Sequence, residues 1–494
     1  MLHPPERMTK EIELKLEIEP GDVAAVHGHT LLAEAAGRAN AHHTVYFDTP
    51  SGTLRQHGFT LRVRSSGDRF IQAIKPLSQS AGLMSRAEIE RAVPSLEPDV
   101  SALAGTPLEP LLDARRLDGL KPVIRTNVRR TSWMVEIGGS SIQFDFDEGE
   151  ITAGGQSQQF DELELELLSG DPAALVVAAR TIAERVPVRL GVLSKAERGE
   201  RVANAAFTRI AKSAPVNVGI SATVAEAFEV ILHACLKHYR LNEPLVLRER
   251  KKEALHQCRV AMRRLRAAFS LFKSAIEDVE YHYLRQELRW FTAQLGDARN
   301  LDVYLERGMS DADRAPLLVR REEAYDQVIA AMDSQRFRLL AIQLIGWTAF
   351  GPWRAGKQAR KSVHGYASNR LDRLWDSIAD GHRLADLDEH RRHQLRIQVK
   401  KMRYAIEFLR RLYPEADRAE KRFADAVEEL QESLGKLNDL ATARTLASAA
   451  PADQWLIGEP EERVHLRESE QAFRDLAAVG PFWRDGREGG APEA

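Results

Sequence analysis

The segment Glu11-Ile12-Glu13-Leu14-Lys15-Leu16-Glu17-Ile18-Glu19 places a charge at every odd position and an apolar residue at every even one. Two is the side-chain period of a β-strand, so one face of this strand carries only charge. The pattern recurs with both signs: Arg62 and Arg64, Lys75, Arg86 with Glu88 and Glu90, Asp145 and Asp147, and Glu162, Glu164 and Glu166. One such face is an ordinary wet face. A set of them, acidic and basic by turns, suits strands curled around a polar interior. Crowded carboxylates raise one another's pKa, and a hard divalent cation such as Mg²⁺ or Mn²⁺ relieves this by taking their oxygens. Lys15, Arg62, Arg64, Lys75, Arg125, Arg130 and Lys195 could then grip phosphate oxygens, the arginines through bidentate forks. The expected chemistry is that of a metal-bridged polyanion.

A second constellation lies in the other half of the chain. His256-x-x-Arg259-x-x-x-Arg263-Arg264-x-Arg266 returns as His393-x-x-Arg396-x-x-x-Lys400-Lys401-x-Arg403, and Gln294–Leu301 returns as Ser433–Leu440. On a helix, His256, Arg259, Arg263 and Arg266 fall within an arc of roughly 80°. Met262, Leu265, Phe269 and Phe272 form the adjacent apolar stripe, and Val399, Met402, Ile406 and Leu409 repeat it beside His393, Arg396, Lys400 and Arg403. No acid interrupts either stripe, from His256 to Lys273 or from His393 to Arg403, so these cations repel one another until an anion or another helix neutralises them. Arginine and lysine are poor company for a metal-ligating histidine, so anion binding is the expected role.

The elements that must position these residues fall into two sets, and the fold class expected is α+β. Residues 10 to about 205 read as short alternating strands separated by turn residues, an antiparallel sheet that closes or nearly closes, with helices near 21–37, 98–117 and 171–186. Residues 213–220 read as a linker, so residues 1–212 and 221–485 are expected to be separate domains, with 486–494 a flexible tail. From Ser221 onward the period is helical, and the long internal repeat suggests two related bundles. No run approaches a membrane span, and a net charge of −2 does not announce a nucleic-acid binder. Cys235 and Cys258 lie in helical patterns and read as buried thiols, which fits a reducing cytoplasm.

The first half resembles the CYTH domains, the triphosphate tunnel metalloenzymes, in an ordered set of motifs. These are Glu11-x-Glu13-x-Lys15, Tyr46-Phe47-Asp48-Thr49-Pro50, Leu61-Arg62-Val63-Arg64, Lys75, Arg86-x-Glu88, Asp147-x-Gly149, the Glu162/Glu164/Glu166 run and Ser194-Lys195-Ala196. The resemblance implies an eight-stranded antiparallel tunnel in which bases bind a triphosphate and acids bind Mg²⁺ or Mn²⁺. Members hydrolyse inorganic, thiamine or nucleoside triphosphates, or cyclise ATP. On it, Glu11, Glu13, Glu88, Asp147, Glu162, Glu164 and Glu166 are the metal candidates, and Glu11, Glu13 and Lys15 the catalytic set. Where the family often shows Lys-x-Arg, this chain has Val128-x-Arg130, with Arg125 and Arg129 nearby; Arg130 is the first choice for the interior and Arg125 the second. The second half resembles the CHAD domain in both His-centred helices, both Leu-Gly segments and Phe482-Trp483. That resemblance implies two four-helix bundles around a basic cavity that binds inorganic polyphosphate. Together they point to a cytoplasmic metal-dependent triphosphatase with inorganic triphosphate and polyphosphate as partners. An adenylate cyclase, a thiamine or nucleoside triphosphatase, and a non-enzymatic polyphosphate binder are the alternatives.

Overall fold

The computed structural model describes residues 8–77, 80–112, 119–306, 310–379, 384–447 and 459–484. Its contacts divide the chain into two compact units, one of residues 1–213, 233–263 and 279–351, the other of 214–232, 264–278 and 352–494.

In the first unit nine antiparallel strands follow one another: β1 (Met8–Ile18), β2 (Arg38–Asp48), β3 (Phe59–Ser66), β4 (Arg69–Pro76), β5 (Leu83–Val93), β6 (Lys121–Ile137), β7 (Ser140–Ala153), β8 (Gln156–Ser169) and β9 (Val188–Leu190). Pairing runs β5-β4-β3-β2-β6-β7-β8-β1, and β1 pairs β5 as well, Met8 opposite Ile89 through Leu14 opposite Leu83. The ladder thus returns to the strand it started from. Short β9 adds to the far end of β1, Leu16 opposite Leu190. It is a ninth strand, one more than the eight implied by the resemblance.

Period-two patterning decides what each face does. Leu14 and Leu16 of β1 and Leu163 and Leu165 of β8 are fully buried. Helix α1 (Ala173–Ala183) packs on these strands, with Leu175, Ala178, Ala179 and Ile182 forming its apolar stripe. On the other side Val45, Phe47, Leu61, Val63 and Ile74 form a core with Leu103 and Leu108. That second cover lies where a helix over 98–117 was expected. The chain makes two single 3₁₀ turns instead, Ser101–Leu103 and Glu109–Leu111. Gly105, at φ +75°, and the prolines at 107 and 110 interrupt the helical ladder; residues 113–118 lie outside those described. Near 21–37 the helix breaks into Val23–His27 and Thr30–Ala33.

Helix α2 (Lys195–Ala203) plugs one end of the ring. Its Val202 joins Tyr46, Ile124, Val128, Ile151, Ala153 and Phe160, the apolar side chains of the strands' inner faces there. Gly199 permits the approach: a Cβ there would stand 2.5 Å from Ile124 Cγ2.

Helices follow from α3 (Val224–Glu249) and α4 (Lys252–Ile276), both of which contribute residues to both units. The first unit continues with α5 (Val279–Gln294), α6 (Gly296–Leu305), α7 (Asp311–Asp333) and α8 (Gln335–Phe350). The second holds α9 (Val363–Ile378), α10 (Glu389–Leu409), α11 (Asp417–Ala447) and α12 (Glu459–Val479). Both apolar stripes are buried: Met262, Leu265, Phe269 and Phe272 on α4, and Val399, Met402, Ile406 and Leu409 on α10. Cys235 and Cys258 are buried free thiols. Among the described residues no helix is long and apolar enough to cross a membrane.

Candidate functional site

The inward faces of the sheet enclose a cavity of about 410 Å³. Glu11, Glu13, Lys15, Arg62, Arg64, Lys75, Glu88, Arg130, Asp147, Glu164, Glu166 and Lys195 all line it. Glu162 is buried behind them on Lys195. Arg125 is exposed and outside this lining, because its odd position on β6 faces away from Arg130; the second choice for the interior is thereby corrected. Arg129 is likewise on the outer face, paired with Glu148 at 2.7 Å.

Strand register sorts the charges into satisfied and unsatisfied groups. Lys15 stands opposite Glu164, and their side chains are ion-paired. The Lys195 ammonium touches Asp147 at 2.8 Å, Glu162 at 2.9 Å and Glu164 at 2.8 Å. Arg130 forks onto both oxygens of Asp147 at 2.6 Å and reaches Asp145 and Glu164 at the same distance. Burial alone would raise Asp147 and Glu164, but these cations outweigh it and hold both below the usual carboxylate range. Asp147, Glu162 and Glu164 bring ligand oxygens within 4.8 Å of one another, a spacing that suits a metal. Their shared space, however, is where the Lys195 ammonium sits.

At the neighbouring rungs the balance is different. Glu13 stands directly opposite Glu166, a like-charged cross-strand pair. Burial, then Glu13, Asp145 and Glu164, push Glu166 up. Glu11 is pushed up to about 7, first by burial and then by Glu88 and Glu166, although Lys75 lies 3.2 Å away. Glu88 takes the cations of that corner: Arg62 at 3.0 Å and Lys75 outweigh burial and bring it down to about 2. Glu11 and Glu166, raised by burial and neighbouring acids, and Glu13, opposite Glu166 with the Lys15 ammonium 3.8 Å away, offer hard carboxylate oxygens, and this donor set fits a divalent cation. The opposite crowding, of positive charge, lies on β3, three strands from β1 and four from β8 around the ring. Arg64 is held below its usual value first by Arg62 and then by burial, with Glu90 at 3.4 Å.

Other side chains at the cavity lacked an alternating charge signal. Strand β2 contributes Asn40, His42, Thr44 and Tyr46, all neutral; His42 is held below its usual value by burial, Arg130 and Arg64. Period-two polarity in 40–46 was the available clue. Two motifs are structural. Asp48 accepts from the N–H groups of Thr49 and Leu54 at 2.7 and 2.9 Å, fixing the turn after β2. Gly149 lies where a Cβ would be 2.8 Å from the Asn127 carbonyl oxygen. Ser194 caps α2 through a reciprocal pair with Glu197 and so presents Lys195 at the first helical position.

On α4, His256 and Arg259 are half-buried and Arg263 and Arg266 exposed. Arg299 of α6 joins them: burial, then Arg299, Arg263 and Arg259, hold His256 below its ordinary value. Arg299 lies inside the second repeated segment but outside the His-centred motif, which is why it escaped the first reading. On α10, His393 is exposed and Arg396, Lys400 and Arg403 are half-buried, with Arg403 donating to Gln431 at 2.8 Å.

An antiparallel ring carries interlocked acids and bases inside, and helices with basic stripes follow it. Residues 9–199 match the CYTH domain family and residues 230–448 match the CHAD domain family, in that order along the chain. It is similar to the inorganic triphosphatase of Haemophilus influenzae, 31% identical over 196 residues, 39% of this chain and 54% of that protein. It is also similar to an uncharacterized protein of Mycobacterium tuberculosis, 29% identical over 333 residues, 60% of this chain and 61% of that one. The chain thus spans little more than half the length of these relatives. The crystal structure of the CHAD domain from the plant Ricinus communis is 26% identical, with 57% of this chain and 97% of that one covered and a TM-score of 0.42.

Proposed function

We propose that the cavity hydrolyses inorganic triphosphate with the help of Mg²⁺ or Mn²⁺, and that the helical stripes bind polyphosphate. The observation that carries the first half is the crowding of carboxylates, Glu11, Glu13 and Glu166 on β1 and β8, and of guanidinium groups, Arg62 and Arg64 on β3, around one cavity. A divalent cation together with a polyanion would relieve both. Glu11, Glu13 and Glu166, supported by Glu164, would hold the cation. Lys15, Lys195 and Arg130 then keep Asp147 and Glu164 ionised, and the two lysines hold Glu162 in place. Arg62, Arg64 and Lys75 take phosphate oxygens.

The reaction adds water across a phosphoanhydride: a water oxygen joins the terminal phosphorus, the bridging P–O bond breaks, and triphosphate becomes diphosphate and phosphate. Phosphoryl transfer needs charge neutralisation and in-line placement more than covalent help. A bound divalent cation supplies neutralisation and makes water more acidic. The chain's cations fix the substrate, and the apolar plug of Tyr46, Ile124, Val128 and Phe160 excludes bulk water from that end of the ring. Among the helices, the His256/Arg259/Arg263/Arg266 and His393/Arg396/Lys400/Arg403 stripes would each track a run of phosphates.

The test is purified full-length protein with triphosphate, ATP or thiamine triphosphate and either metal. Preferred release of one phosphate and one diphosphate per triphosphate is expected. Cyclic AMP as the main product from ATP, or no phosphate release from any of the three, would overturn the reading.

A further inference from the structure

Helix α3 belongs to the helical half of the sequence, yet three of its side chains grip the strands and turns around the cavity's lysines. His233, Lys237 and Arg240 are spaced i, i+4 and i+7, so they share one face. The Ala81 N–H donates to His233 Nδ1 at 2.8 Å. Lys237 pairs with Glu197. Arg240 donates from Nε to the Leu190 carbonyl at 2.8 Å and from Nη2 to Glu17 at 2.7 Å.

All of these anchor points adjoin a support of Lys15 or Lys195. The Lys15 N–H donates to the carbonyl of Gly82, the residue after Ala81, at 2.8 Å. The Lys15 carbonyl accepts at 2.9 Å from Gly191, the residue after Leu190. Glu17 is two residues along β1, on the same face as Lys15. Its other oxygen accepts from Arg198 of α2 at 2.9 Å, and Arg198 and Arg240 outweigh burial to keep it ionised. Glu197, the partner of Lys237, caps α2 through the Ser194 N–H at 2.9 Å and thereby fixes the turn that begins with Lys195. Lys15 and Lys195 converge in turn on Glu162 and Glu164. Ordinary packing of a helix on a sheet would scatter its polar contacts. Here they flank two residues far apart in sequence that meet at one acid cluster.

We propose that the His233/Lys237/Arg240 face of α3 is a positioning element for Lys15 and Lys195, so that turnover in the cavity depends on a helix beyond the proposed linker. This rests on the reading of the cavity as the hydrolytic site. The independence of the two halves expected from that linker would then not extend to the middle of α3. A displacement of about 1 Å in positioned groups is enough to cost up to ~10²-fold in rate.

The experiment uses full-length Lys237→Met, the double variant Lys237→Met/Arg240→Met, and Lys237→Arg. Amide exchange is read over residues 12–17 and 192–199 with β7 as the internal control, and kcat is measured for triphosphate. For the Met variants we expect exchange in both segments to rise at least ~10-fold through local opening, with β7 unchanged. We expect kcat to fall about tenfold and Lys237→Arg to restore both readouts. Exchange equal to the parent's, or raised exchange with parental kcat, overturns the proposal. If the parent itself releases no phosphate, the triphosphatase reading fails, and exchange alone decides whether α3 holds the two lysines. If the double variant does not fold, Lys237→Met, which alters a partly exposed side chain, decides the matter by the same readouts.

Discussion

The cavity and the helical stripes solve the problem of holding a polyanion in opposite ways. Inside the sheet nearly every cation has a carboxylate in contact; Arg130 alone touches Asp145, Asp147 and Glu164. On α4, by contrast, His256 and Arg259 are held below their ordinary values first by burial and then by the neighbouring arginines, Arg263 and Arg299 among them, with Asp297 partly offsetting these at Arg259. The first arrangement is rigid and leaves only local deficits, which suits selection of one small anion with its cation. The second is a run of mainly basic side chains along a helix, which suits a long polymer of any register. Interactions among desolvated groups are little screened by salt, whereas those of exposed charges are strongly screened. Polyphosphate binding by the stripes should therefore weaken steeply between low and physiological salt, and triphosphate turnover much less.

The comparison can be broken most severely at Arg130. Arg130→Ala leaves Asp145, Asp147 and Glu164 without their shared partner, so folding stability should fall by about 3–5 kcal/mol, as for other broken buried pairs. Denaturant unfolding checks this, and an unchanged midpoint would mean that the network is not interlocked. Next in size is Glu13→Gln, which removes half of the like-charged Glu13/Glu166 pair. Phosphate release should drop at least ~10²-fold, the loss typical of disturbed metal ligation, while the melting temperature holds or rises. Parallel loss of activity and stability would make Glu13 structural. Among the helices, replacing Arg259, Arg263, Arg396 and Lys400 together by Gln should weaken polyphosphate binding at least ~10-fold at low salt, through lost charge contacts. Circular dichroism verifies that the helices persist, and parental affinity in the folded variant would reduce the stripes to bundle surface. The smallest effect concerns pH. Burial and the three arginines keep His256 neutral near pH 7. A bound anion offsets the arginines and raises that pKa, so binding takes up a proton. Affinity should then increase as pH falls from about 8 to 6, by a few-fold at most. Calorimetry in two buffers reads the proton uptake, and His256→Gln should remove its share.

How much of this was legible in the sequence varied with how local each cause is. The alternating charge on β1, at odd positions, and on β8, at even ones, faced the interior as its period required, and so did Arg130 rather than Arg125 or Arg129. The apolar stripes of α4 and α10 were equally plain, because a helix face is fixed within two turns. Strand β2 was not read, since its inner residues Asn40, His42, Thr44 and Tyr46 carry no charge. The plug was hidden too: Ile124, Val128, Ile151 and Phe160 show that the inner faces turn apolar towards one end. Which carboxylates are already neutralised depends on register, Lys15 opposite Glu164 but Glu13 opposite Glu166. No property of β1 taken alone reveals that difference. His233, Lys237 and Arg240 gave no signal at all, because their partners lie in distant turns. The helix expected over 98–117 gave way to turns at a glycine and prolines whose weight the composition of that segment had concealed.

The most direct test of the central claim is the rate of phosphate release from triphosphate by the intact chain as Mn²⁺ is titrated into chelator-stripped protein, alongside Glu11→Gln and Glu13→Gln. The account predicts no turnover without the cation, saturable activation in the parent, and a shift of that activation to at least ~10-fold higher Mn²⁺ in each variant, as expected for lost ligands. Equal turnover in stripped and loaded protein, or activation curves that superimpose for parent and variants, would contradict it.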